Sequence, residues 1–160
     1  MKRISLSGWA AIAEIVGGIA VVISLLMVAY TVSQNTIALR ASSEETLYTA
    51  NRELNMAFMT NAELQEIVSR LRQRDQELTD RQNVAWEAYH GLMLNIWENA
   101  FDRYKRGLLT EETWQDWDRY FGGYLADKSE GLSNDLWSDT RTWYSDDFQG
   151  HVDATLFSRD

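Results

Sequence analysis

Residues Trp9 to Val32 read WAAIAEIVGGIAVVISLLMVAYTV, and this stretch decides the architecture. It holds 24 residues and a single charge, Glu14. A bilayer core takes roughly 20 apolar residues as a helix, and soluble helices rarely run this long without a polar face. The run is also too long for a signal-peptide core, and Leu39 and Ala41 fit a cleavage site poorly, so it reads as an uncleaved anchor. Trp9 and Tyr30 stand near its two ends, where aromatic rings favour the membrane interface.

One face of this helix is built of small residues. Ala10, Ala13, Gly17, Ala20 and Ser24 follow one another at steps of 3, 4, 3 and 4. Helical geometry therefore sets them in one row. Small side chains let two helices approach closely, and close packing drives association in lipid, where the hydrophobic effect is lost. The row predicts self-association or docking on a partner helix. Glu14 lies at the edge of the same face. A membrane carboxylate is costly and is by default a functional candidate. It has three readings: reaching the headgroups, packing as a protonated hydrogen-bonding group, or lining an ion path.

The flanking charges set the orientation. Lys2 and Arg3 precede the span, and the next basic residues are Arg40 and Arg52. The positive-inside rule then puts the N-terminus in the cytoplasm and the rest outside it, which in a Gram-negative cell is the periplasm.

No proline or glycine interrupts residues 19–90. The first helix is expected to continue past the bilayer, and a helix from Trp9 to Met59 measures about 75 Å. Val32, Thr36, Leu39, Ser43, Leu47, Ala50, Leu54 and Phe58 give it a weak seam, suited to a helix that needs neighbours. The expected organisation is a tail over 1–8, a transmembrane helix over 9–32, a helical extension over 33–59 and a soluble helical domain over 60–160.

Within that domain, Thr60 with Glu63 matches a capping box. It opens a helix with Leu64, Ile67, Val68 and Leu71 as its stripe. Thr79 or Asp80 starts a third helix reaching Arg106, with Gly107 closing it. Thr110 starts a fourth. Ser129 to Gly131 is a loop. Ser133 starts a fifth helix through Trp137 and Trp143, and Asp146 or Asp147 a last one carrying Phe148, Val152 and Leu156. The expected fold is all-α, with a compact aromatic-rich bundle after the long first helix.

Composition removes several function classes. The 160 residues include no cysteine and no proline, but seven Trp and seven Tyr. Disulfides, thiolate metal sites and cysteine nucleophiles are excluded. A net charge of −9 argues against a nucleic-acid partner, whose phosphates need Lys and Arg. From residue 110 onward 4 basic face 12 acidic side chains, read as a solvated surface around an aromatic core.

The search for chemistry finds little. His90 shares a face with Leu94, Trp97 and Phe101 and reads as a core histidine. Asp147 and His151 stand at i, i+4, a spacing that seats a metal ligand pair, yet two ligands do not make a site. Residues 127–135 resemble a calcium loop loosely, but the glycine is one position early and Ser138 occupies the closing position. Phosphate-loop, nucleophile-elbow and zinc-protease motifs are missing. The Trp set of 86, 97, 114, 117, 137 and 143 sits mostly at core spacing. No cofactor is expected.

Two stretches carry a resemblance. One is WAAIAEIVGGIAVVISLLMVAYTVSQNT, residues 9–36. The other is LTEETWQDW, residues 109–117, followed by Trp137, Arg141, Trp143, Tyr144, Phe148, Val152 and Asp153. Together the chain resembles a loose group of uncharacterised bacterial membrane-anchored helical proteins. The resemblance implies architecture and no activity. The expected function is a non-enzymatic, membrane-anchored homo-oligomeric assembly or docking protein. The alternatives are a cation channel with Glu14 on its path, or an enzyme using Asp147 and His151.

Overall fold

The computed structural model describes residues 6–73, 77–127 and 131–157. Every regular element among them is helical. Helix α1 spans Leu6–Thr60, α2 Ala62–Gln73, α3 Asp80–Lys105 and α4 Glu111–Leu125. Helix α5, Asn134–Thr140, runs into a tight 3-10 turn, Arg141–Trp143, and α6, Asp146–Val152, into a π-turn, Asp153–Phe157. The expected loop at Ser129–Gly131 and the tail charges Lys2 and Arg3 fall outside the described residues, apart from Gly131.

The chain divides into two units at 41/42. The first holds the apolar stretch of α1. It is long and apolar enough to cross a bilayer, and none of its apolar window is buried. Two of its hydroxyls bond locally: Ser24 donates to the Ala20 carbonyl at 2.8 Å and Thr31 to that of Met27 at 2.9 Å. Such back-bonding gives these two groups a partner in an apolar surrounding.

The second unit begins at Ser42, well before the expected 59/60 boundary. The reason is the lower half of the α1 seam. Ser43, Leu47 and Leu54 are buried there, while Val32 and Leu39 are exposed. Arg103 donates to the Ser43 side chain at 2.8 Å and its carbonyl at 3.3 Å, and Thr113 donates to Glu44 at 3.0 Å. The rings of Tyr48 and Trp117, and of Phe58 and Tyr89, meet at 5.1 and 5.7 Å. Each fully buried Leu contributes about 1.5–3 kcal/mol relative to exposure, so these turns belong to the folded unit.

The helix ends follow local chemistry, with one correction. Helix α2 is capped by Asn61, whose Oδ1 accepts from the backbone N–H of Glu63 and Leu64 at 3.0 and 3.3 Å. Thr60 is the last residue of α1 and turns its hydroxyl back to the Met56 carbonyl. The box expected at Thr60 and Glu63 occurs instead at Thr79 and Gln82, in both directions. Helix α3 closes with a Schellman turn. The Leu108 N–H reaches the Arg103 carbonyl and the Gly107 N–H that of Tyr104, both at 2.8 Å, with Gly107 at φ 72°. Only glycine takes that left-handed position without strain.

The core gathers Trp86, Trp97, Trp114, Trp117 and Trp137 with Phe101, Phe121 and Phe148. Trp143 departs from the expected set: it lies in the 3-10 turn and is 75% exposed. Helix α4 approaches the π-turn at Gly122, where an added Cβ would stand 3.1 Å from the Thr155 methyl. The last helix starts at Asp146 and Asp147, but its cap position is Ser145, whose N–H donates to Glu98 at 2.7 Å.

Burial of phenols limits the fold at high pH. The Tyr144 hydroxyl is pushed up to about 12, first by burial and then by the Glu98 charge. Tyr89 is raised as well, by burial and then by Tyr124 and Tyr120. The unfolded chain ionises these phenols near pH 10, before the folded one does. Stability is therefore expected to be full below pH 10 and to fall steadily from pH 10 toward 12. Replacing Tyr144 by Phe should flatten that decline in denaturant titrations across this range.

Candidate functional site

The small-residue row occupies one continuous face of α1, and every member is exposed. Where a Cβ would stand on Gly17, no described atom beyond the helix's own nearby backbone and its chain neighbours lies within 4 Å. This face is open backbone and methyl groups, the surface a second helix needs for close approach. The Glu14 side chain is exposed beside it, and among the described residues no hydrogen bond or ion pair reaches its carboxylate.

In the folded unit the polar groups sort differently from their sequence spacing. Asp147 and His151 do not form a pair. The Asp147 carboxylate takes the Lys105 ammonium at 2.7 Å, and that contact holds it below the usual carboxylate range. The His151 imidazole turns the other way, with Nε2 2.6 Å from Asp118 Oδ1. That oxygen also accepts the Trp97 indole N–H at 3.0 Å. Four aromatic rings surround the imidazole: Trp97, Phe101, Trp114 and Phe148, with centroids between 5.3 and 6.4 Å. The cluster joins α3, α4 and α6 through one carboxylate oxygen.

This arrangement orients a histidine and seals a helix junction. Among the described residues no group of three or more His, Cys, Asp or Glu is placed to hold a metal ion. A second carboxylate, Asp153, repeats the pattern. It accepts the Trp137 indole N–H at 2.7 Å and the Arg141 guanidinium at 2.7 Å. In both cases a carboxylate answers a buried tryptophan N–H, which is costly to leave unpaired. The sequence offered no sign of either pair, because 21 and 16 residues separate the partners.

His90 is a core group. It is 1% exposed, edge-on to Trp86 at 4.6 Å, with Nδ1 3.0 Å from the Trp86 carbonyl. It borders a groove of about 860 Å³ with Leu78, Trp86, Leu132 and Leu136, and Glu77, Asp80 and Glu87 among its polar lining. The acidic residues that start α4 have local roles: Glu111 accepts from the Tyr104 hydroxyl and from Gln115. These bonds lower the Glu111 pKa, while the carboxylate beside Tyr104 raises that of the phenol.

Comparison of the chain with protein-family models, with curated proteins and with solved structures returns no match.

Proposed function

We propose that this protein is a single-pass, membrane-anchored assembly or docking protein without enzymatic activity. In this reading the first unit crosses the bilayer and joins other membrane helices through its small-residue face. The second unit, an aromatic-rich helical bundle, stands outside the cytoplasm.

One observation carries it. The apolar part of α1 is uncovered on all sides, and the backbone at Gly17 within the Ala13–Ser24 row has open space beside it. An apolar helix of this length exposed to water would be strongly unfavourable, at about 25 cal/mol per Å² of apolar surface. Lipid covers the large side chains, and a second helix fits the face where side chains are small.

The test is the native mass of the full chain in nanodiscs, compared with Gly17→Leu/Ala20→Leu. The wild type should show a defined oligomer, and the double variant should shift toward the monomer. An unchanged mass in the variant would set the small-residue face aside. A wild-type mass of four or more copies would also bring Glu14 side chains into a ring. That is the condition for the cation-path reading.

A further inference from the structure

We propose that the groove between α3 and the start of α5 binds a linear polyamine, a chain of protonated amines joined by methylene stems. The groove measures about 860 Å³, within the range of small-molecule sites. Its charged lining residues are Glu77, Asp80, Glu87 and Asp127, and among the described residues no Lys or Arg joins them. The adjoining stretches 74–76 and 128–130 each hold one basic and one acidic residue, so they leave that balance unchanged. Glu77, Asp80 and Glu87 are exposed, and among the described residues no hydrogen bond or ion pair reaches them. Other carboxylates of the folded unit are taken: Asp118, Asp147 and Asp153 each have a cationic or imidazole partner at 2.6 or 2.7 Å.

The placement of these charges selects the ligand class. Asp80 and Glu87 stand seven residues apart on one face of α3, a rise of about 10.5 Å. The same groove is lined by Trp86, Leu132 and Leu136, of which Trp86 and Leu132 are buried. A metal ion is a point charge that leaves the apolar lining uncovered, and among the described residues no group of three ligands is gathered for one. A neutral apolar ligand leaves the carboxylates unanswered, and an anion is repelled. A polyamine carries charges at both ends of an alkyl stem. Its ammonium groups reach separate carboxylates while its methylenes lie against the tryptophan and leucine carbons, as lysine stems do on apolar surface. The site lies wholly in the second unit and stands whatever helix contacts the first unit makes.

The probe is spermidine, titrated calorimetrically into the full chain in nanodiscs of zwitterionic lipid, with empty nanodiscs as the blank. One spermidine per chain should bind, and Glu77→Gln/Asp80→Asn/Glu87→Gln should weaken it by about tenfold. Glu112→Gln/Asp116→Asn neutralises exposed carboxylates of α4 outside the groove and should leave the affinity within about twofold. Circular dichroism checks that the triple variant stays folded, and Glu87→Gln alone, within α3, serves in its place if it does not. Magnesium at matched ionic strength should displace spermidine poorly, and 1,8-octanediol, a stem without charges, should not bind. No heat beyond the blank overturns the proposal, as does an equal loss in the two variant sets or displacement by magnesium as effective as by spermidine itself, each of which would mean diffuse attraction to an acidic surface. Binding of oligolysine without binding of spermidine overturns it in favour of a basic protein segment.

Discussion

Trp97→Ala is expected to destabilise the folded unit by about 3–5 kcal/mol, the largest single-residue effect in the chain. Trp97 has no solvent exposure and holds three elements together. Its ring meets Phe121 at 6.5 Å, Phe148 at 5.4 Å and His151 at 5.4 Å. Removing the indole takes away its transfer free energy, leaves a cavity between aromatic walls, and removes one of the two hydrogen bonds at Asp118 Oδ1, the other being that of His151. Domains of this size have roughly 5–15 kcal/mol of stability in total, so the variant should be close to unfolding. Trp97→Phe keeps most of the apolar volume but loses the N–H and part of the ring system, so it should lose about 1–2 kcal/mol. Denaturant titration of the full chain in nanodiscs, followed by near-ultraviolet circular dichroism, separates the two. Equal losses would mean that the hydrogen bond, and not packing, dominates.

Asp118→Ala is expected to have the next largest effect, about 2–3 kcal/mol, because it removes the acceptor that Trp97 and His151 share. Asp118→Asn retains an acceptor and should lose less. The sharper measurement is a double-mutant cycle. Asp118 and His151 touch at 2.6 Å, and their coupling should be on the order of 1–2 kcal/mol. Asp147 and His151, neighbours by helical spacing, engage different partners, and their coupling should be zero within error. A strong Asp147–His151 coupling would restore the pairing that spacing suggests and contradict the observed one.

That contrast shows where sequence reading stops. The i, i+4 rule places two side chains on one helix face, but it does not say which way each rotates. Lys105 draws Asp147 to one side, and the Asp118 carboxylate with the aromatic rings holds His151 on the other. Trp143 is a second case. Its spacing fits a continued α5, yet the chain tightens into a 3-10 turn at Arg141 and the ring leaves the core. The cap of α2 is a third. Thr60 and Asn61 are both good caps, and the seam packing of Leu54 and Phe58 carries α1 through Thr60, leaving Asn61 for the role.

What the chain alone determined is the part set by local and one-dimensional physics. A run of 24 residues with one charge is legible as a long apolar helix, since the bilayer-scale length signal needs no partner. All-α content follows from helical periodicity and from caps such as Thr79, Thr110 and Ser133, each of which bonds the backbone three residues on. The small-residue row around Gly17 is equally a matter of spacing. Only the tertiary structure decided where the folded unit begins, which carboxylate serves each tryptophan, and that Trp86 and Leu136 line one acid-rimmed groove. Those outcomes depend on contacts between residues far apart in sequence. Burial against another helix fixes them, and periodicity within a single helix carries no record of that neighbour.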